Sequence, residues 1–191
     1  MTKLTDHANI LREQALQIIT VTKVGQIFEK LGHFEVVGSV RLDTMYRRDI
    51  DIMVFSNVIE KNLALRASTE LKESNNFRSV KMTDYQTTTA FDMPLGYFWE
   101  LIYEDLKHEI WKFDIWYLNS SEKYSEMVLS AIKNFEPLII ASPEKRELIL
   151  RIKDEYFDGE KYRNGVKGID IYKAVLEIDV TSVDEFTSTI E

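Results

Sequence analysis

Two acids stand two positions apart in the run Asp49-Ile50-Asp51-Ile52-Met53-Val54-Phe55. In an extended strand that spacing sends both carboxylates to one face and Ile50 and Ile52 to the other. Adjacent carboxylates repel unless a proton or a cation lies between them. Hard divalent ions such as magnesium take carboxylate oxygens and leave positions open for substrate phosphates. The pattern points to metal-assisted phosphate chemistry, against the plainer reading of a solvated strand end.

Two further features join this pair. Gly38-Ser39 closes the short apolar run Phe34-Glu35-Val36-Val37, and a glycine there lets backbone amides and a serine hydroxyl come close to a phosphate. Downstream, Asp114 interrupts Ile110-Trp111-Lys112-Phe113-Asp114-Ile115-Trp116-Tyr117-Leu118. Alternation puts Trp111, Phe113, Ile115 and Tyr117 on one face and Lys112, Asp114 and Trp116 on the other. If that strand neighbours the first, Asp114 completes a three-carboxylate cluster able to hold two metals. The competing reading is a surface ion pair of Asp114 with Lys112 or with an arginine.

Supporting residues are more ambiguous. Arg47 and Arg48 precede the paired acids and can steady phosphates through bidentate contacts, or stand as solvated loop charges. Lys112 can contact phosphate or pair with Asp114. Glu100 can serve as a general base or lie at an exposed sheet edge. Trp99 and Trp111 read as core, whereas Trp116 shares a face with Asp114.

The elements that must position these groups follow from periodicity. Leu11, Ala15, Ile18, Ile19, Val24, Ile27, Phe28 and Leu31 predict one long helix from about Thr5 to Leu31, stopped by Gly32. Strands are predicted around 34–39, 49–55 and 77–82, with a helix over 58–73 between them. Tyr97–Tyr103 and Ile110–Leu118, joined by polar Glu-Asp-Leu-Lys-His-Glu, predict an antiparallel hairpin. Residues 86–96 fit either a strand or a loop. Beyond Asn119 the pattern is helical: one helix through Tyr124, Val128, Ala131, Ile132 and Phe135, and a second opened by Ser142-Pro143. A charged loop is expected over 158–168, a helix over 170–178, and a capping box at Ser182 and Glu185. The expected fold is α+β, a mixed twisted sheet with flanking helices over residues 1–119 and a helical region over 120–191.

Composition sets the outer limits. Nearly half of the 191 residues are hydrophobic, enough for a packed core, and no apolar run reaches the roughly 20 residues of a membrane span. No cysteine is present, which removes disulfides and thiolate chemistry and, with a charged N-terminus, suggests a cytoplasmic protein. The three histidines lack metal-ligand spacing. A net charge of −8 without a basic run makes nucleic acid an improbable main partner.

The run VVGSVRLDTMYRRDIDIMVF, with WKFDIWYL downstream, resembles the nucleotidyltransferase superfamily related to DNA polymerase beta. That pattern is a Gly-Ser or Gly-Gly turn, a spacer, a hydrophobic-flanked Asp-x-Asp and a later acid, matched here by Gly38-Ser39, Asp49, Asp51 and Asp114. The resemblance implies that Asp49, Asp51 and Asp114 are catalytic and bind two magnesium ions. It also implies that Gly38 and Ser39, helped by Arg48 and Lys112, hold a nucleoside triphosphate, taken as ATP. A nucleoside monophosphate would then pass to a hydroxyl of a small molecule or a protein, with release of pyrophosphate. The alternative is a catalytically silent module of the same fold that binds nucleotide or regulates. A metal-dependent glycosyltransferase would need a larger nucleotide-binding half before its Asp-x-Asp.

Overall fold

A computed structural model describes residues 2–87, 93–157 and 165–190. The chain opens with α1 (Lys3–Thr22) and a short α2 (Val24–Phe28), then β1 (His33–Val36) and a single turn, α3 (Gly38–Arg41). Next come β2 (Asp49–Ser56), α4 (Lys61–Glu73), β3 (Ser79–Asp84) and the hairpin of β4 (Gly96–Glu104) and β5 (Ile110–Asn119). Four helices end it: α5 (Lys123–Ala141), α6 (Pro143–Phe157), α7 (Gly168–Leu176) and α8 (Val183–Ile190).

The five strands form one sheet in the order β1-β2-β5-β4-β3. Among the described residues only the β2–β5 pair is parallel; the other three pairs are antiparallel. This is the α+β mixed sheet with flanking helices expected from the sequence. Strict alternation on the central strands explains the layering. Ile50, Ile52, Val54, Trp99, Leu101, Trp111, Phe113, Ile115 and Tyr117 are fully buried on one face, against α1, α2 and α4. Burying an aliphatic or aromatic side chain of this kind stabilises by roughly 1.5–3 kcal/mol, so a one-residue slip in either central strand is strongly disfavoured.

The opposite face is divided. Towards the ends of β2 and β5, Met53, Phe55 and Leu118 pack with Val37 and Ile132, the latter from α5. Towards their beginnings the same face carries charge. Helices α5 to α8 share a further core built on Phe135, Ile149, Ile152, Tyr156, Ile171, Val175 and Phe186, which Leu42 joins from the segment before β2.

Local structure departs from expectation at four places. The single helix over 5–31 is two, because Lys23 takes a left-handed conformation (φ 56°) and ends α1. Thr20 and Thr22 bond back to the carbonyls of Leu16 and Ile18, a habit that loosens helix ends. Gly32 is not a helix stop: a Cβ there would run into the backbone at Phe55, so its role is close approach to β2. The strand expected at 77–82 lies at Ser79–Asp84, leaving Phe77 to pack edge-on against Phe113. At α8 the Ser182 hydroxyl accepts from the Glu185 amide as expected, but the Glu185 carboxylate accepts from Thr181. The undecided 86–96 stretch and the 158–168 loop fall partly outside the described residues.

Candidate active site

The parallel pairing of β2 and β5 brings the acids together. Asp51 stands opposite Asp114, and Asp49 stands opposite Lys112. On the other side of β5, Glu100 of β4 stands opposite Asp114, and Lys81 of β3 stands opposite Glu100. Residues directly opposite in a sheet share a face. Asp51, Asp114, Glu100 and Lys81 therefore form one row across four strands. Glu100 lies within the sheet, not at its edge, because β3 covers the outer side of β4.

Gly38 touches the first acid of that row. The Val37 amide donates to the Asp51 carbonyl at 2.9 Å. The chain then turns through Gly38 with φ +59°, a conformation that side chains rarely adopt. A Cβ on Gly38 would collide with the Asp51 carboxylate, meeting its Cβ and Cγ at 3.0 Å. Only glycine lets the Gly38-Ser39 backbone lie this close to Asp51.

Electrostatics follow from crowding. Burial, then the charges of Asp114 and Asp49, push the Asp51 carboxyl up to about 7; Lys112 and Lys153 act in the opposite sense. Burial also raises Asp114, opposed by a hydrogen bond from Lys112, with Asp49 and Glu100 adding to the rise. The Lys112 ammonium donates to Asp114 Oδ2 at 2.7 Å. Burial alone would lower Lys112, but that bond and the surrounding acids more than offset it and hold its pKa up.

The donor set suits a hard divalent cation. All its candidate ligands are carboxylate oxygens, and Asp114 Oδ1 is buried without a hydrogen-bond partner. The Asp51–Asp114 repulsion is the kind a cation relieves. As the side chains stand, no group of three acids or histidines among the described residues is gathered into a metal cage. Lys112, holding Asp114 Oδ2, supplies the positive charge instead.

The remaining expected residues are divided by the site. Arg48 pairs with Glu109 at 3.1 Å, and its carbonyl accepts from the Lys112 amide at 2.9 Å. Arg48 and Lys112 lie on the Asp49 side, in a cleft that Gly38 and Ser39 do not line. Arg47 sits over the Phe157 ring. Trp99 and Trp111 are core, as expected. Trp116 packs against Phe98, Tyr85 and Tyr124, an aromatic group on the carboxylate face.

Two nearby residues escaped the sequence reading. Tyr124, one of the periodic positions that predict α5, is a neighbour of the acids: burial and the charges of Asp51 and Asp114 raise its hydroxyl pKa. Lys153, only 2% exposed, donates to the Thr44 carbonyl and the Tyr172 hydroxyl, each at 2.8 Å. Its signal was available: Lys153 falls on the apolar stripe of Ile149, Ile152 and Tyr156, where a solvated lysine has no place.

No protein-family model and no curated protein matches the sequence. Solved structures share the fold. A mutant of the Cid1 poly(U) polymerase bound to MgATP matches with a TM-score of 0.61 at 10% identity, covering 94% of this chain and 56% of that one. A cytoplasmic RNA terminal U-transferase gives 0.52 at 11%, covering 92% and 52%. CdnC of E. coli MS115-1, from its complex with HORMA-deltaN, gives 0.53 at 16%, covering 100% and 65%. The chain thus spans between 52% and 65% of the length of these proteins. At such identities the likeness is one of fold, and that fold is the nucleotidyltransferase fold.

Proposed function

We propose that this chain transfers a nucleoside monophosphate, AMP from ATP, to a hydroxyl of a small molecule or protein. The observation that carries the reading is the in-register pairing of Asp51 with Asp114, with Asp49 beside them and the Gly38 turn against Asp51. Triphosphate use is supported by the MgATP bound to the polymerase of like fold.

Asp49 and Asp51 are suited to hold a magnesium ion that carries the triphosphate, and Asp114 to share a second; bound there, the ions would neutralise phosphate charge and ease ionisation of the acceptor hydroxyl. Gly38 and Ser39 bring backbone amides and a hydroxyl to the phosphates from the Asp51 side. The acceptor oxygen forms a bond to the α-phosphorus. The bond from that phosphorus to its bridging oxygen breaks, its electron pair leaves with pyrophosphate, and the hydroxyl proton passes to water. Lys112 holds Asp114 in place and balances its charge before substrate arrives.

Incubation with magnesium and α-labelled ATP is expected to release pyrophosphate and to label an acceptor, with Asp49→Asn and Asp51→Asn inactive. Turnover unchanged in either variant would remove the assigned role.

A silent nucleotide-binding module is the second reading. It is favoured by Lys112, whose ammonium already occupies Asp114. Magnesium-dependent triphosphate binding without pyrophosphate release, across a range of acceptors, would select it.

A further inference from the structure

The turn that follows Ser39 carries a residue its backbone does not favour. After α3 the chain closes in a left-handed cap: the Leu42 amide donates to the Gly38 carbonyl and the Thr44 amide to the Ser39 carbonyl, each at 3.0 Å. The residue in the left-handed position is Asp43, with φ 53°. Glycine is the usual occupant of such a cap, and any other residue there costs stability unless its surroundings hold it. At Asp43 they do. Its Oδ1 lies 3.2 Å from the Arg146 guanidinium of α6 and 3.7 Å from the Arg12 guanidinium of α1.

The same two arginines grip the backbone of the turn. Arg146 Nε donates to the Asp43 carbonyl at 2.6 Å, and Arg12 Nε donates to the Val40 carbonyl at 3.0 Å. Arg146 is itself anchored, its side chain only 13% exposed and its Nη2 donating to Asn9 Oδ1 at 2.6 Å. The turn also changes cores: Val40 is buried with the sheet, Leu42 with the C-terminal helices. Asp43 thus stands where α1, α6 and the turn meet, and its carboxylate ties the three together.

We propose that Asp43 is a positioning residue: held between Arg12 and Arg146, it fixes the cap that carries Ser39 and so presets the Gly38-Ser39 turn against Asp51. Asp43 holds neither the phosphates nor the ions. It acts through the bond from the Thr44 amide to the Ser39 carbonyl. The inference rests on the transferase reading above, which gives Ser39 to the triphosphate. A turn that is already ordered loses less entropy on binding than one that must be ordered. The effect of Asp43 therefore falls on triphosphate affinity and not on the bond-breaking step.

The test compares the full chain with Asp43→Gly, Asp43→Asn and Arg12→Gln. Asp43→Gly relieves the backbone as it removes the carboxylate, which separates positioning from stability. Its denaturation midpoint is expected to change little. Calorimetry with magnesium and the non-hydrolysable α,β-methylene-ATP should show an affinity loss of about fivefold or more. In turnover the KM for ATP should rise by a like factor, with kcat changed less than about twofold. Hydrogen exchange at the Thr44 amide should quicken about tenfold, because its bond to Ser39 is no longer held. Asp43→Asn, which tolerates the left-handed turn and still accepts from an arginine, should restore part of the affinity. Arg12→Gln should weaken binding about twofold or more, which keeps the test decisive if the Asp43 variants fail to fold. Binding by Asp43→Gly that matches the unaltered chain would overturn the proposal. So would an affinity loss with Thr44 exchange unchanged, or a fall in kcat with KM unmoved. No magnesium-dependent binding of α,β-methylene-ATP to the unaltered chain would instead overturn the transferase reading beneath it. Thr44 exchange in Asp43→Gly would then decide whether the carboxylate orders the turn at all.

Discussion

Asp51 and Asp114 face each other across the parallel pair of β2 and β5, and burial together with their mutual repulsion holds the Asp51 carboxyl up to about 7. Asp51 therefore stores destabilisation that appears once it is ionised. An ordinary aspartate in the unfolded chain titrates near 4. Between that value and about 7 the folded state binds the extra proton, so stability falls as pH rises through this window. Asp51→Asn is expected to stabilise the protein by about 1–2 kcal/mol at pH 8 and by almost nothing below pH 4. Denaturant midpoints at the two pH values check it; an equal effect at both would show that charge is not the cause.

Magnesium should act where Asp51 is ionised. Protons and cations compete for the same oxygens. Millimolar magnesium is expected to raise the melting temperature at pH 8, by far less at pH 5.5, and not at all in Asp49→Asn. A shift independent of pH would place the ion elsewhere on the molecule.

Gly38→Ala should fail on two counts. The backbone there has φ +59°, and the added methyl meets the Asp51 carboxylate. A loss of about 1–3 kcal/mol is expected from strain alone. Triphosphate affinity should fall as well, because the turn must move away from Asp51. Chemical denaturation and a binding titration report the two effects separately.

Lys153 gives a contrast between partners. Removing its ammonium by Lys153→Met strands the Thr44 carbonyl inside the protein and leaves the Tyr172 hydroxyl with its bond to the Thr44 hydroxyl, at a cost of about 2–3 kcal/mol. Tyr172→Phe removes one acceptor and should cost about 1 kcal/mol. In a double-mutant cycle the two losses should not add. Additive losses would mean that the three groups do not act as one network.

How far the sequence foretold this depends on range. The alternation in Asp49–Phe55 and Trp111–Leu118 was readable because period two is a local property, and the burial of every second residue matches it. The Lys112–Asp114 pair was readable for the same reason, since both sit on one face two residues apart. What the residues alone could not supply was the adjacency of β2 and β5, a long-range pairing across the α4 and β3–β4 excursion. Only the resemblance implied it. Lys23 could not be read as a helix break, because the apolar positions on either side stay in helical phase. Lys153 is readable only as a break in the apolar stripe of α6, because its partners Thr44 and Tyr172 are distant in sequence or lie on another helix. Glu100 was misplaced because edge and centre are properties of strand order, which no single strand carries.

The parallel β2–β5 pairing also has a kinetic side. Strands joined in parallel cannot be zipped up from a tight turn; their ends must first meet across a long intervening chain, which is slow. The β4–β5 hairpin can form early with Asp114 already in it, but Asp51 joins only when β2 docks. The acidic row is thus complete only once β2 has docked on β5, and no fragment lacking either strand can carry it. A chain cut between β2 and β4 would leave Asp114, opposite Glu100 in the hairpin, parted from Asp49 and Asp51.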